Sequence, residues 1–244
     1  MSVTVEIAVQ SVSGARIAKE EGAGRIELCS ALGTGGLTPS LALIEGAASQ
    51  QIHTMVLVRP RGGDFDYDAE EIATVERDIE FALTAGAHGI VIGALRGMAL
   101  DVDALRRWIA AARATREDCE IVLHRCVDVL LGNRVSPRAL LDAVHEIGGI
   151  TRILTSGGAL RAPDGLERLE QLQAGAAGVQ ILAGGGTRPA DFEAIAATGV
   201  RQVHLSARRR ELGGPAGPGG GESSYDVTDA AIVRQAVAAA RALT

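Results

Sequence analysis

Four times in this chain a helical stretch runs out at glycine, and within one to three residues a short apolar run begins. The phrase reads Glu21-Gly22-Ala23-Gly24-Arg25-Ile26-Glu27-Leu28, then Ala85-Gly86-Ala87-His88-Gly89-Ile90-Val91-Ile92. It returns as Ile147-Gly148-Gly149-Ile150-Thr151-Arg152-Ile153-Leu154 and as Thr198-Gly199-Val200-Arg201-Gln202-Val203-His204-Leu205. Glycine just past a helix can take the left-handed conformation that satisfies the last carbonyls. A β-branched run after it suits a strand buried on both faces. One unit, helix then strand, is being repeated.

Continuing that rhythm places strands at 3–9, 25–29, 54–59, 89–93, 120–126, 152–155, 179–183 and 202–206. Helices fall between them at 11–21, 39–49, 69–84, 102–113, 137–147, 166–173 and 189–197, with a closing one at 229–243. Thr38-Pro39, Ser136-Pro137 and Asp101 supply capping side chains, with Pro where a missing N–H costs nothing. Strict alternation implies a parallel sheet with right-handed crossovers. The 244 residues match the size of one eight-fold β/α barrel, so a single domain over 1–244 is expected. An open doubly wound sheet is second choice, because no G-x-G-x-x-G follows the first strand. The stretch 211–224, dense in Gly and Pro, is expected to be a flexible loop over the barrel mouth, either a lid or a plain connection.

A net charge of -6 and the lack of any long basic run argue against nucleic acid as a partner, while leaving room for a local cationic pocket. The first residues lack the basic start and apolar stretch of a signal peptide, and no later run is long enough to span a membrane, so a cytoplasmic address is expected. Cys29, Cys119 and Cys126 are too few and too irregular for a disulfide framework or a zinc finger.

Barrel chemistry sits at the carboxyl ends of the strands. Glu6, Glu27, Cys29, Arg59, Arg61, His124, Asp128, Ser156 and His204 all fall in or just after predicted strands. Side chains alternate across a strand, so Glu27 and Cys29 share a face, and Arg59 and Arg61 stand together. Glu6, Glu27, His124, Asp128 and His204 form the expected acid–base set, with Asp128 or Glu27 able to hold the His124 tautomer. Arg59 and Arg61 are forked donors that match carboxylate or phosphate. The backbone of Ser156-Gly157-Gly158 and Gly184-Gly185-Gly186 is expected to add N–H groups to the same anion. His53, His88, His145 and Cys119 fall at the opposite end and read as structural. Cys29 and Cys126 lie at the tops of strands, where thiolates could bind Cu(I), or could simply be small buried residues.

The segments Arg25-Ile26-Glu27-Leu28-Cys29-Ser30-Ala31-Leu32, Gly35-Gly36-Leu37-Thr38-Pro39-Ser40 and Arg59-Pro60-Arg61-Gly62-Gly63 resemble the signature of the CutC family. Leu123-His124-Arg125, Asp128, Leu154-Thr155-Ser156-Gly157-Gly158 and Ala183-Gly184-Gly185-Gly186 extend the match in order over nearly the whole chain. The resemblance implies a TIM-type barrel, a cytoplasmic homo-oligomer, and copper homeostasis through Cu(I) binding, with Cys29 as the ligand. The family's usual H-R-A-F-D reads His124-Arg125-Cys126-Val127-Asp128 here, so Cys126 is the weaker metal candidate. Copper homeostasis is therefore the expected assignment. The alternative is a lyase, isomerase or hydrolase on a small anionic or phosphorylated metabolite, with Arg59 and Arg61 binding the anion and His124 and Glu27 moving protons.

Overall fold

The structure, a computed structural model, describes residues 3–214, 217–218 and 223–243. Eight parallel strands close into a barrel: β1 (Thr4–Val9), β2 (Arg25–Leu28), β3 (Thr54–Leu57), β4 (Gly89–Ile92), β5 (Glu120–Leu123), β6 (Arg152–Thr155), β7 (Gln180–Gly184) and β8 (Gln202–Leu205). β8 pairs with β1 to close the ring, with Glu6 opposite His204, while β1 pairs on its other side with β2, with Glu6 opposite Arg25. Period-two alternation then sorts the side chains. Ile7, Ile26, Ile90, Ile92, Ile121 and Leu205 pack outward against the helices, and Met55, Leu57, Val91, Val122, Leu154 and Leu182 fill the interior with Cys29.

The helical layer begins where the sequence offers caps. Ser136 and Asp101 accept from Ala139 N at 3.2 Å and Ala104 N at 3.0 Å. The second helix is capped by Ser40 rather than Thr38, and runs over Leu41–Ala48. Trp108 is fully buried and donates Nε1–H to the Ile72 carbonyl at 3.0 Å, which satisfies the polar edge of a large apolar group.

Two departures from the expected pattern bear on function. β5 ends at Leu123, three residues short of Cys126, and Cys126–Gly132 forms a short helix instead. After β8, Arg208–Leu212 pairs antiparallel with Ser224–Thr228, so Glu211, Leu212 and Ser224 lie in a hairpin and not in a flexible loop. Residues 215–216 and 219–222 of that loop lie outside the described residues. Thr228 at the hairpin's end seats against Gly14, where a Cβ would fall 2.6 Å from its Oγ1.

The lower interior of the barrel is polar. Arg25, Glu120, Arg152, Gln180 and Gln202 are the first residues of five strands, and they bond to one another. Arg152 donates to Glu120 at 2.7 Å and to Gln180 at 2.8 Å, Gln202 donates to Gln180 at 2.7 Å, and Arg25 donates to Gln202 at 2.7 Å and to Glu6. Sharing donors and acceptors in this way removes most of the cost of burying two guanidinium groups. His53 joins the floor 3.2 Å from Glu120, His88 accepts from Thr54 N at 3.1 Å, and His145 lies 3.3 Å from the Ala176 carbonyl, which keeps all three at the structural end.

Candidate active site at the barrel mouth

A cavity of about 770 Å³ opens at the carboxyl ends of the strands, and Glu27, Arg59, His124, Arg125, Asp128, Thr187, His204 and Arg208 are on its wall. Among the described residues, four buried side-chain atoms on that wall have no hydrogen-bond partner: Glu27 Oε2, Arg59 Nε, His124 Nε2 and Thr187 Oγ1. Native proteins rarely leave such groups unmatched, and each exception calls for an explanation.

Glu6, Glu27 and His204 converge because three neighbouring strands turn the same face inward. Glu6 Oε1 lies 2.8 Å from His204 Nδ1, and Glu6 Oε2 takes Arg25 Nε–H. Burial pushes Glu6 up, but the Arg25 charge and the His204 hydrogen bond outweigh it and hold the carboxyl at about 2. Glu27 has no such partner. Burial carries it up to about 7, with His204 drawing it down and the Glu6 charge adding to the rise. For His204, burial favours the neutral ring, yet Glu27 and Glu6 together raise its pKa above the usual value. A fixed carboxylate, a carboxyl that titrates near neutrality and an imidazole with Nε2 left for a ligand thus sit within one cluster. One potential ligand atom from each of the three lies within 4.8 Å of the others, but Arg25 already neutralises Glu6 and its hydrogen bond holds His204.

His124 follows β5 directly. Its Nδ1 accepts the Cys126 amide N–H at 3.1 Å, so the expected orienters, Asp128 and Glu27, do not hold it. Burial first, and then the Arg59 charge, bring its pKa down to about 3, so the ring is neutral at physiological pH. His124, expected as a general acid or base, thus presents a neutral ring whose Nδ1 is held by the Cys126 amide.

Asp128 has a different task. Its carboxylate accepts from Thr155 Oγ1 at 2.5 Å, Ser156 N at 3.0 Å, Gly158 N at 3.0 Å and Arg125 Nε at 2.7 Å. Gly157 N is taken by Thr155 Oγ1 at 2.9 Å. The amides of Ser156, Gly157 and Gly158, expected to bind a ligand anion, are therefore already occupied, those of Ser156 and Gly158 by the Asp128 carboxylate and that of Gly157 by the Thr155 hydroxyl. Asp128 is saturated and serves to shape the β6 loop. Arg125 is the cation this arrangement presents: it lies across Gly185, where a Cβ would fall 2.8 Å from Cζ, and it donates to Ser156 Oγ at 3.0 Å. Gly185 and Gly186 line the cavity, whereas Gly184 ends β7 against His204.

Arg59 and Arg61 part company. Arg59 is buried on the cavity wall, stacks on Phe65 at 4.9 Å, and donates to the carbonyls of Thr34, Gly36 and Gly63, so it ties two loops together. Arg61 points away, onto Asp64, Glu71 and the Tyr67 ring, and is not on the cavity wall. Strand alternation predicted a shared face, but the chain has already left β3 at Leu57.

The two thiols are separated by the barrel wall. Cys29 belongs to the interior cluster and Cys126 to the outer core beneath its helix. Burial and, beside it, Glu27 push the Cys29 thiol well above its usual range, and burial with Asp128 does the same for Cys126. Cys29 Sγ faces the Val9 carbonyl at 3.8 Å. The two thiols expected as metal candidates thus belong to different packing clusters.

A closed eight-stranded β/α barrel with buried, unmatched acid, imidazole and hydroxyl groups around its mouth defines a TIM-type barrel with a candidate site at that mouth. Comparison makes this specific: the CutC family model matches residues 3–209, and the chain belongs to the CutC family. A CutC family protein of Caulobacter vibrioides is 40% identical over 217 residues, covering 87% of this chain and 82% of that protein. A solved structure from Streptococcus agalactiae, described as a copper homeostasis protein CutC, superposes with a TM-score of 0.75 at 26% identity, over 84% of this chain and 98% of that one. Phosphoribosyl anthranilate isomerase from Thermus thermophilus shares the fold alone, with a TM-score of 0.60 at 13% identity over 99% and 100% of the two chains. No helix among the described residues is long and apolar enough to cross a membrane.

Proposed function

We propose that this protein is an acid–base enzyme acting on a small anionic metabolite at the barrel mouth, in the cytoplasm, where its three free thiols stay reduced. The observation that carries the reading is Glu27: a buried carboxyl with one unmatched oxygen, poised near neutrality beside the Glu6–His204 pair. A residue of that pKa can take a proton from substrate and return it at physiological pH. His204, held by Glu6, is the second proton carrier. Arg125, whose Nε is held by Asp128 while its guanidinium lies over Gly185 on the cavity wall, and Arg208 at the rim, paired with Asp226 at 2.5 Å, bring the donors that select an anion. Phe65, Leu57 and Leu154 on the same wall keep the reacting groups away from bulk water.

Copper homeostasis, the role in the description of the Streptococcus relative, is the second reading, and Cys29 favours it because that residue occupies the thiol position of the family signature. A Cu(I) site of high affinity needs two soft donors in reach, and a single buried, protonated thiol beside a backbone carbonyl supplies one. The residues present therefore fit the acid–base reading better.

One experiment separates the two. Purified protein is incubated with a pool of small carboxylates and phosphate esters in D₂O, and deuterium incorporation and turnover are followed by mass spectrometry. The acid–base reading expects activity that disappears in Glu27→Gln and His204→Asn and survives in Cys29→Ser. A protein that turns over none of the pool, yet binds Cu(I) tightly and loses that binding in Cys29→Ser, would establish the carrier instead.

A further inference from the structure

We propose that His124 is an uncharged hydrogen-bond donor that polarises a carbonyl oxygen of the substrate, which makes the substrate a small carbonyl compound enolised at the carbon facing Glu27. This rests on the acid–base reading and deepens it by naming the substrate class.

The geometry of the ring assigns its proton. Nδ1 receives the Cys126 amide N–H at 3.1 Å, so that nitrogen holds a lone pair and the single hydrogen of the neutral ring is on Nε2. Nε2 is buried and unmatched, and His124 is part of the cavity wall. The ring has one seat. Against β4 it occupies the space of a missing side chain, since a Cβ on Gly93 would fall 2.4 Å from Cε1, and on another side Phe65 packs with ring centroids 4.8 Å apart. Arg59, clamped between Phe65 and three loop carbonyls, places a permanent positive charge next to the imidazole and opposes a second proton there.

The other unmatched atoms divide by chemistry. Arg59 Nε–H is a donor, like His124 Nε2–H, and the Thr187 hydroxyl can donate, whereas Glu27 Oε2 is, among the described residues on this wall, the buried carboxylate oxygen without a partner. A donor-lined wall with a lone base fits a ligand that brings acceptor oxygens to the donors and a removable hydrogen to the base. A neutral imidazole suits a developing enolate, because a charged ring would surrender its proton or bind the ground-state anion as tightly as the transition state.

The step balances without any co-reactant. The Glu27 carboxylate takes the proton from the carbon next to the carbonyl. The C–H electron pair becomes the new carbon–carbon π bond, and the carbonyl π pair moves to oxygen, which accepts from His124 Nε2–H. Return of the proton from Glu27 to the same carbon restores the carbonyl, regenerates the base and completes exchange.

The test uses full-length protein labelled with 15N-histidine, and oxalate as the probe, since that planar dianion mimics the enolate of a 2-oxo acid. Long-range proton–nitrogen spectra are expected to show His124 as the Nε2–H tautomer throughout about pH 5 to 8. Oxalate is expected to move the Nε2–H proton downfield and slow its exchange with water. Affinity should fall about tenfold or more in His124→Ala and stay within about threefold in His124→Gln, whose amide also donates. A ring that titrates in that interval, a proton on Nδ1, no saturable oxalate binding, or equal affinity in wild type and His124→Ala would overturn the proposal. If His124→Ala fails to fold, the wild-type spectra and the His124→Gln affinity decide it. The carboxyl 13C signal of Glu27 in the same pH series keeps the two ideas apart. Titration near neutrality with a misbehaving His124 removes only the enolisation proposal, whereas an ordinary carboxylate titration removes the acid–base reading itself.

Discussion

The two ends of the barrel interior use the same residue types for opposite purposes. At the floor, Arg25, Arg152, Glu120, Gln180 and Gln202 meet side chain to side chain, and only Arg152 Nη1 is left unmatched among their buried polar atoms. At the mouth, Glu27, Arg59, His124 and Thr187 each keep a buried polar atom unmatched on the wall of one cavity. Buried charge by itself therefore says little about function. What separates the ends is whether the hydrogen-bonding capacity is consumed within the protein, as at the floor, or left for a ligand. Glu6 joins the two, with one oxygen on Arg25 and the other on His204.

The contrast can be broken most directly by stability measurements. Arg152→Ala leaves Glu120 and Gln180 facing a void, and should cost about 3–5 kcal/mol in urea unfolding. Glu27→Gln should cost none of that at pH 8, because it removes a buried acid with no partner. Equal losses at the two positions would end the distinction. In catalysis the order reverses: Glu27→Gln should lower kcat by about 10²- to 10⁴-fold on any substrate that the D₂O screen identifies.

The pH dependence sharpens the same point. Between 4.5 and about 7, folded Glu27 keeps a proton that the unfolded chain has released, so stability should decline with rising pH across that window. The decline should reach at most about 3 kcal/mol and vanish in Glu27→Gln. Glu6 works with the opposite sign, adding stability as pH rises from about 2 to 4.5, because the folded carboxylate is the ionised one.

Gly93→Ala should cost about 1–3 kcal/mol by overpacking and should displace the His124 ring, visible as a shifted imidazole signal. The smallest effects belong to the arginines. Arg125→Ala should weaken anion binding about tenfold, while Arg61→Ala, whose guanidinium is spent on Asp64 and Glu71 outside the cavity, should leave binding unchanged in a direct titration.

Much of the site was legible before the fold was known. Period two put Glu6, Glu27 and His204 on one face of their strands, and strand pairing brought Glu6 opposite His204. The same rule failed at Arg61 and Cys126, because both lie past the true strand ends, where alternation no longer applies. The Ser156-Gly157-Gly158 turn carries the composition of an anion cradle, and it is one, yet nothing in the residues discloses that Asp128 from a different loop already fills it. The hairpin at Arg208–Leu212 and Ser224–Thr228 was hidden by the Gly and Pro between its arms, since composition reports the turn and not the pairing on either side. Arg125 was visible as a residue, but its lead over Arg61 as the cavity's cation was not.

By itself the sequence determined the number of repeating units, the closed parallel barrel they build, the family, and which strand ends carry ionisable groups, because local periodicity and capping are properties of neighbours along the chain. The tertiary structure alone decided which of those groups are consumed by partners and which stand unmatched, and hence that Glu27 titrates near neutrality while His124 remains neutral. Burial and Coulomb interactions depend on distances between strands far apart in sequence, and those distances exist only once the barrel has closed.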